Sequence, residues 1–171
     1  MTVAELIQSP EQPKVYRMIV AWLGVLALMS IVVGALVSLF WASVVSLPEY
    51  RILTDGSAYV SERGLVEFVT ADAWYVLCAV LVGPGIGYVA WRWFKPVGWP
   101  VALVAAAAGL LTGVICWWCG GLFGPGDLDF RLAAAQPGDL IPIALDLQAR
   151  SALFVWPFAA VAPVLVISGF S

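Results

Sequence analysis

Histidine is absent from this sequence, and charged side chains are rare. Lysine, arginine, aspartate and glutamate together make up 11% of the 171 residues, whereas soluble domains carry about a quarter. Histidine is the commonest metal ligand and the usual proton carrier near neutral pH. The three cysteines alone are a poor ligand set for zinc or haem. We expect no metal and no cofactor, and no nucleic-acid partner.

The sequence contains long stretches without any charged residue. Hydrophobic residues make up 63% of the chain and the mean hydropathy is +0.98, which fits a bilayer better than water. Four stretches exceed or approach the roughly 20 apolar residues that a transmembrane helix needs. They are Met18–Pro48, Ala73–Trp91, Pro96–Gly126 and Ser151–Ser171. The sequence predicts a membrane protein of mainly α class: a cytoplasmic N-terminal segment (1–17), then a four-transmembrane-helix bundle (18–171) with a small extracytoplasmic β-containing cap.

None of these four stretches contains Asp, Glu, Lys or Arg. Proton relays, ion pathways and sites for charged substrates inside membranes usually depend on such residues. A stand-alone pump, channel or secondary transporter is therefore disfavoured, and we expect no catalytic residue and no enzyme activity.

The basic residues indicate an orientation. Lys14, Arg17, Arg92 and Lys95 crowd against predicted helix ends in short segments, whereas the other four basic residues lie in two longer loops. Lysine and arginine close to helix ends favour the cytoplasmic side. We therefore predict a multi-pass protein of the plasma (inner) membrane with both termini in the cytoplasm.

The first of the two longer loops, residues 49–72, has the composition of a β-hairpin or meander. Its turn signal at Asp55-Gly56 separates short pieces that are rich in β-forming residues. These pieces predict strands over Tyr50–Thr54, Ser57–Ser61 and Leu65–Thr70.

The second loop, residues 124–150, predicts a short helix followed by a strand. Asp127 is positioned to cap a helix that runs to about Ala135. Ile141–Leu147 alternates between apolar and other residues as a strand does, and Pro142 favours an edge position. We expect this strand to join the hairpin of the first loop.

Small residues recur at every fourth position in the predicted helices. Lipid provides no hydrophobic drive for helix association, so helices associate by close backbone approach at such stripes. The stripes are Ser30, Gly34, Ser38 and Ala42 in the first helix, Gly83 and Gly87 in the second, and Ala105, Gly109 and Gly113 in the third. They could serve packing inside the bundle or contact with a partner helix, and the first stripe is the best candidate for a partner.

The cysteines raise an alternative function. Cys116 and Cys119 have CxxC spacing near the predicted outer end of the third helix, and Cys78 lies at similar depth. Quinone-linked enzymes of the DsbB and vitamin K epoxide reductase type also combine four helices with an outer CxxC, so thiol–disulfide exchange is one interpretation. Those enzymes use a second cysteine pair that the outer loops here lack, and a helix C-terminus does not favour a thiolate. Packing of the cysteines as small hydrophobic residues is the other interpretation.

Several segments resemble an actinobacterial family of four-helix membrane proteins. They are LTDGSAYVSERG, ADAWY at the start of the second helix, GPGDLDFRLAAAQPGD after the third, and LQARSALFVWPFAA entering the fourth. The resemblance covers roughly residues 45–165 and extends to accessory subunits of MCE-type lipid importers in the mycobacterial envelope. It implies a role beside permease and ATPase subunits, and it transfers no catalytic residues.

These features together predict a non-catalytic accessory subunit of a multi-subunit membrane complex, most specifically an MCE-type ABC lipid importer. The expected partners are membrane lipids and the permease or other transmembrane subunits of that complex. A sensor whose outer cap binds a ligand is a third hypothesis.

Overall fold

The computed structural model describes residues 12–46, 49–52, 58–60, 62–122, 130–131, 134–136, 138–143 and 145–170. Most of them lie in four helices: α1 (Gln12–Val44), α2 (Glu62–Phe94), α3 (Pro100–Leu122) and α4 (Val155–Gly169). A 3-10 turn at Arg150–Phe154 leads into α4. If this turn is counted with α4, all four helices are long and apolar enough to cross a membrane. The predicted number and approximate positions of the long helices are confirmed.

A tight connection at Lys95–Val97 joins α2 to α3. Gly98 follows it with a φ of +83°, a backbone conformation that glycine adopts without steric cost. Pro100 then begins α3, where its missing N–H costs nothing because the first helical N–H groups have no partner within the helix. The end of the bundle that holds this connection is called the turn end below.

α2 and α3 each contact the three other helices, and α3 has the more extensive contact with α1. α1 packs chiefly on α3 and only lightly on α2, whereas α4 packs against both α2 and α3. At the turn end the start of α1 meets the end of α2, where the ring centroids of Trp22 and Trp93 lie 5.1 Å apart. This arrangement leaves α1 at the edge of the bundle, with much of its surface uncovered.

A small antiparallel sheet lies at the opposite end, called the cap end. Its strands are β1 (Glu49–Ile52), β2 (Ala58–Val60) and β3 (Leu140–Pro142), in the order β2-β1-β3. Tyr50 of β1 is paired with Val60 on one side and with Ile141 on the other. The prediction that the second loop adds a strand to the first loop's hairpin is confirmed, with Pro142 on an edge strand as expected.

The predicted strand over Leu65–Thr70 is wrong, because α2 begins at Glu62 and continues through this segment. The residues favour strands, but adding a turn to a helix that the apolar span has already nucleated requires no new nucleus. Thr70 Oγ1 donates a hydrogen bond to the Val66 carbonyl oxygen at 2.8 Å, which is the helical i to i−4 geometry.

The predicted strand over Ile141–Leu147 is too long. Pairing covers only Leu140–Pro142, and residues 143 and 145–147 have no strand partner among the described residues. Leu145 and Leu147 instead lie buried in the core at the cap end. The turn predicted at Asp55-Gly56 and the helix cap predicted at Asp127 lie outside the described residues. Phe130 and Arg131 are helical.

Candidate functional site

Glycines of α2 and α3 form the surface on which α4 sits. A Cβ added at Gly83 would lie 2.7 Å from the Cβ of Ala159. A Cβ added at Gly109 would lie 2.8 Å from both the Cβ of Ala160 and the carbonyl oxygen of Trp156. Real Cβ atoms essentially never approach other atoms to within 3.0 Å. Both positions therefore require glycine for α4 to approach this closely.

Two other glycines of the predicted stripes serve the same contact. Gly87 faces the backbone of Ala160, where a Cβ would overlap the carbonyl group. Gly113 faces the ring of Trp156, whose Cδ1 would lie 2.6 Å from an added Cβ. Ala105 is fully buried in α3. The predicted stripes of α2 and α3 are thus covered by other parts of the same chain.

The stripe of α1 lies against α3. Ser30, Gly34 and Ser38 are buried, and Ala42 is half-buried. A Cβ added at Gly34 would lie 2.7 Å from the carbonyl oxygen of Thr112. Ser30 and Ser38 carry buried hydroxyls that have no hydrogen-bond partner in the described part of the chain. Of the two roles considered for this stripe, the structure shows packing inside the bundle.

Two glycines in helix interiors, outside the predicted stripes, have open space where a side chain would begin. A Cβ added at Gly24 of α1 or at Gly85 of α2 would meet nothing within 4 Å. Glycine inside a helix costs about 0.5–1 kcal/mol relative to alanine, so packing within the chain does not explain either residue. A search for repeated small residues misses both, and the signal that could have identified them is a glycine in a helix interior away from the stripe.

Aromatic side chains fill the core at the cap end. The ring of Tyr75 lies between those of Trp41 and Trp156, with centroid distances of 5.3 and 5.9 Å. The Tyr75 hydroxyl donates to the Gly113 carbonyl oxygen at 2.7 Å, and Trp41 Nε1 donates to the Ala71 carbonyl oxygen at 2.9 Å. These bonds connect α2 to α3 and to α1. They also satisfy two polar groups that would otherwise be costly to bury.

The three cysteines carry free thiols, and two of them lie in the same core cluster as these aromatic rings. Cys116 is fully buried and Cys78 is 5% exposed, and both belong to the same core cluster. Cys119, three residues further along α3, is half-buried. An exchange reaction requires a thiolate that a substrate can reach. The described environment of Cys116 is instead that of a small hydrophobic side chain.

Two carboxylates fasten the second loop to the bundle. Asp72 of α2 accepts hydrogen bonds from the backbone N–H groups of Gln148 and Ala149, at 3.2 and 2.8 Å. Ala149 precedes the 3-10 turn that leads into α4 and has no side-chain cap of its own. Asp72 therefore caps this helix start from another helix, a role that the sequence analysis missed because no local signal marks it.

The second carboxylate belongs to the loop itself. Asp146 accepts one hydrogen bond from Trp117 Nε1 at 2.9 Å and another from its neighbour's N–H, that of Leu147, at 2.8 Å. Leu145 and Leu147 on either side of it are buried over the aromatic core. The segment 145–149 thus closes the cap end of the bundle and connects α2, α3 and α4.

The polar groups of the core therefore hold helices and loops together. Among the described residues there is no group of three His, Cys, Asp or Glu side chains that could hold a metal ion. The chain matches no protein-family model, no curated protein and no solved structure. The surface available for a partner is consequently judged from the geometry of the helices alone.

Proposed function

We propose that this protein is a non-catalytic accessory subunit of a multi-subunit membrane complex, most specifically an MCE-type ABC lipid importer of the mycobacterial envelope. Its four helices would span the plasma (inner) membrane with both termini in the cytoplasm, so that the cap end faces outward. The expected partners are the permease or other transmembrane subunits. The resemblance in sequence suggests the type of complex, and the exposed surface of α1 suggests how the chain attaches to it.

The observation that carries the proposal is a row of exposed residues on α1. Gly24, Leu28, Val32, Leu36 and Phe40 follow one another at intervals of four residues, and all are exposed. Residues at this interval form the ridge that packs into the groove of a neighbouring helix. At one end of the ridge, Gly24 leaves the backbone open to close approach.

The arrangement of polar groups supports an attached role rather than a transport path. Charged residues lie at the start of α1 and in the first third and the last turn of α2, whereas α3 and α4 contain none. The buried Tyr75 hydroxyl and Trp41 indole are occupied by bonds to backbone carbonyl oxygens. An ion or proton path would need ionisable groups along its length.

The experiment compares two substitutions of a small exposed residue by leucine. Gly24→Leu blocks close approach at the α1 ridge, whereas Ala162→Leu adds the same bulk on the exposed side of α4. Each variant is purified from native membranes in mild detergent, and co-purifying proteins are quantified by mass spectrometry. We expect Gly24→Leu to lower the recovery of a permease subunit at least about fivefold, because overpacking a helix contact costs about 1 kcal/mol or more. Ala162→Leu should leave recovery unchanged.

The docking surface is refuted if both variants recover the partner equally well. The accessory role itself is refuted if the unsubstituted protein is purified from native membranes without any partner protein. Substitution of Gly34 would not test attachment, because the Gly34 surface is covered by α3 and a larger residue there would disturb the fold.

A further inference from the structure

A groove opens at the turn end, and no residue of α1 lines it. It lies between the last turns of α2 and α4 and the start of α3, and its volume is about 480 Å³. This volume lies within the range of about 300–1,000 Å³ that is typical of small-molecule sites. Its wall is mostly apolar, and it has a cationic edge formed by Lys95. Trp91, Trp99, Val164, Leu165 and Ser168 also line it.

Lys95 is positioned over this groove. Its Nζ lies 5.1 Å from the ring centroid of Trp91, a cation–π contact that restrains a long side chain. The side chain is exposed, and no ion pair with it is found among the described residues. Trp99 is 78% exposed beside it, as an indole at a membrane–water boundary would be.

Among the described residues, the charged side chains at this end of the bundle are of one sign. Arg17, Arg92 and Lys95 are exposed there. The acidic residues of the described ranges belong to the cap-end sheet, the start of α2 and the second loop; they are Glu49, Glu62, Glu67, Asp72, Asp139 and Asp146. An anionic ligand at the turn end therefore meets attraction from several groups and no opposing carboxylate among the described residues.

We propose that this groove binds an anionic phospholipid. Lys95 contacts the headgroup phosphate, and the acyl chains lie along the apolar wall formed by Val101, Ala102, Val164 and Leu165. Ser168 provides a hydroxyl donor on the same lining. A free anion would satisfy Lys95 but would leave the apolar wall exposed, so a lipid fits both parts of the groove better. This inference does not depend on the proposed accessory role.

The test uses native mass spectrometry of the full chain in micelles with equal amounts of phosphatidylglycerol and phosphatidylcholine of identical acyl chains. We expect phosphatidylglycerol to be retained preferentially. Lys95→Gln should lower its occupancy about fivefold, since one basic residue near an anionic lipid surface contributes about that factor. The occupancy of phosphatidylcholine should not change.

Arg92→Gln is the matched control, because it also removes one positive charge. Arg92 lies one helical turn before Lys95 and does not line the groove. Arg92→Gln should lower phosphatidylglycerol occupancy less than Lys95→Gln does, because Arg92 does not line the groove. Equal retention of the two lipids by the unsubstituted chain would overturn the proposal, as would equal losses in the two variants. Displacement of phosphatidylglycerol by millimolar inorganic phosphate would also overturn it, because the site would then recognise a free anion.

Discussion

The close packing of α4 on glycines of α2 and α3 can be tested by substitutions that add a single methyl group. Gly109→Ala introduces a Cβ that would lie 2.8 Å from the Ala160 Cβ and from the Trp156 carbonyl oxygen. Gly85→Ala introduces the same methyl group where nothing lies within 4 Å. Any gain in helix propensity is about the same for both substitutions, at most about 1 kcal/mol. The difference between the two variants therefore isolates the helix–helix contact.

The size of that difference follows from the distances. Ordinary van der Waals contact begins at 3.4 Å, so α4 has to retreat by about 0.6 Å, the difference between 3.4 and 2.8 Å. A radial gap of about 0.5–1 Å removes a quarter to a half of the attractive dispersion energy of each atomic contact along the interface. Overpacking of this kind costs about 1–3 kcal/mol. We expect Gly109→Ala to be less stable than Gly85→Ala by this amount.

The assay is reversible unfolding in mixed micelles as the fraction of denaturing detergent rises, followed by circular dichroism. A second substitution, Ala160→Gly, removes one of the two close contacts but leaves the Trp156 carbonyl oxygen in place. Gly109→Ala should therefore lower stability less in an Ala160→Gly background than in the unsubstituted chain, but it should still lower it. If Gly109→Ala and Gly85→Ala unfold at the same detergent fraction, the close packing of α4 on α3 at Gly109 is refuted.

Two further predictions concern the cap end. Asp72→Ala should lower the free energy of unfolding by about 0.5–2 kcal/mol, because the start of the fourth helix loses its cap. Asp72→Asn should lower it less. If Asp72→Ala were as stable as the unsubstituted chain, the capping role would be contradicted. Brief treatment with N-ethylmaleimide should modify at most Cys119 in the folded protein and all three cysteines after unfolding, as counted by intact-mass measurement, because Cys116 and Cys78 are buried. Rapid modification of Cys116 in the folded protein would revive the thiol-exchange alternative.

The sequence predicted the long helices well and the loops only in part. A stretch of uncharged residues such as Pro96–Gly126 can be compared directly with the length that a bilayer requires, so a local pattern is sufficient. Leu65–Thr70 was predicted wrongly because the preference of six residues for a strand competes with the continuation of an adjoining helix. Residue preferences alone do not settle which of the two prevails.

Sequence alone also could not assign faces to the small residues. Gly34 and Gly24 are both glycines of α1, yet the first is closed by α3 and the second is open. Asp72 and Ala149 are separated by 77 residues, and no local pattern links them. The number, length and apolar character of the helices are properties of consecutive residues, so the chain determines them by itself. The choice of which faces meet depends on the shapes of all four helices at once, and only the tertiary structure decides it.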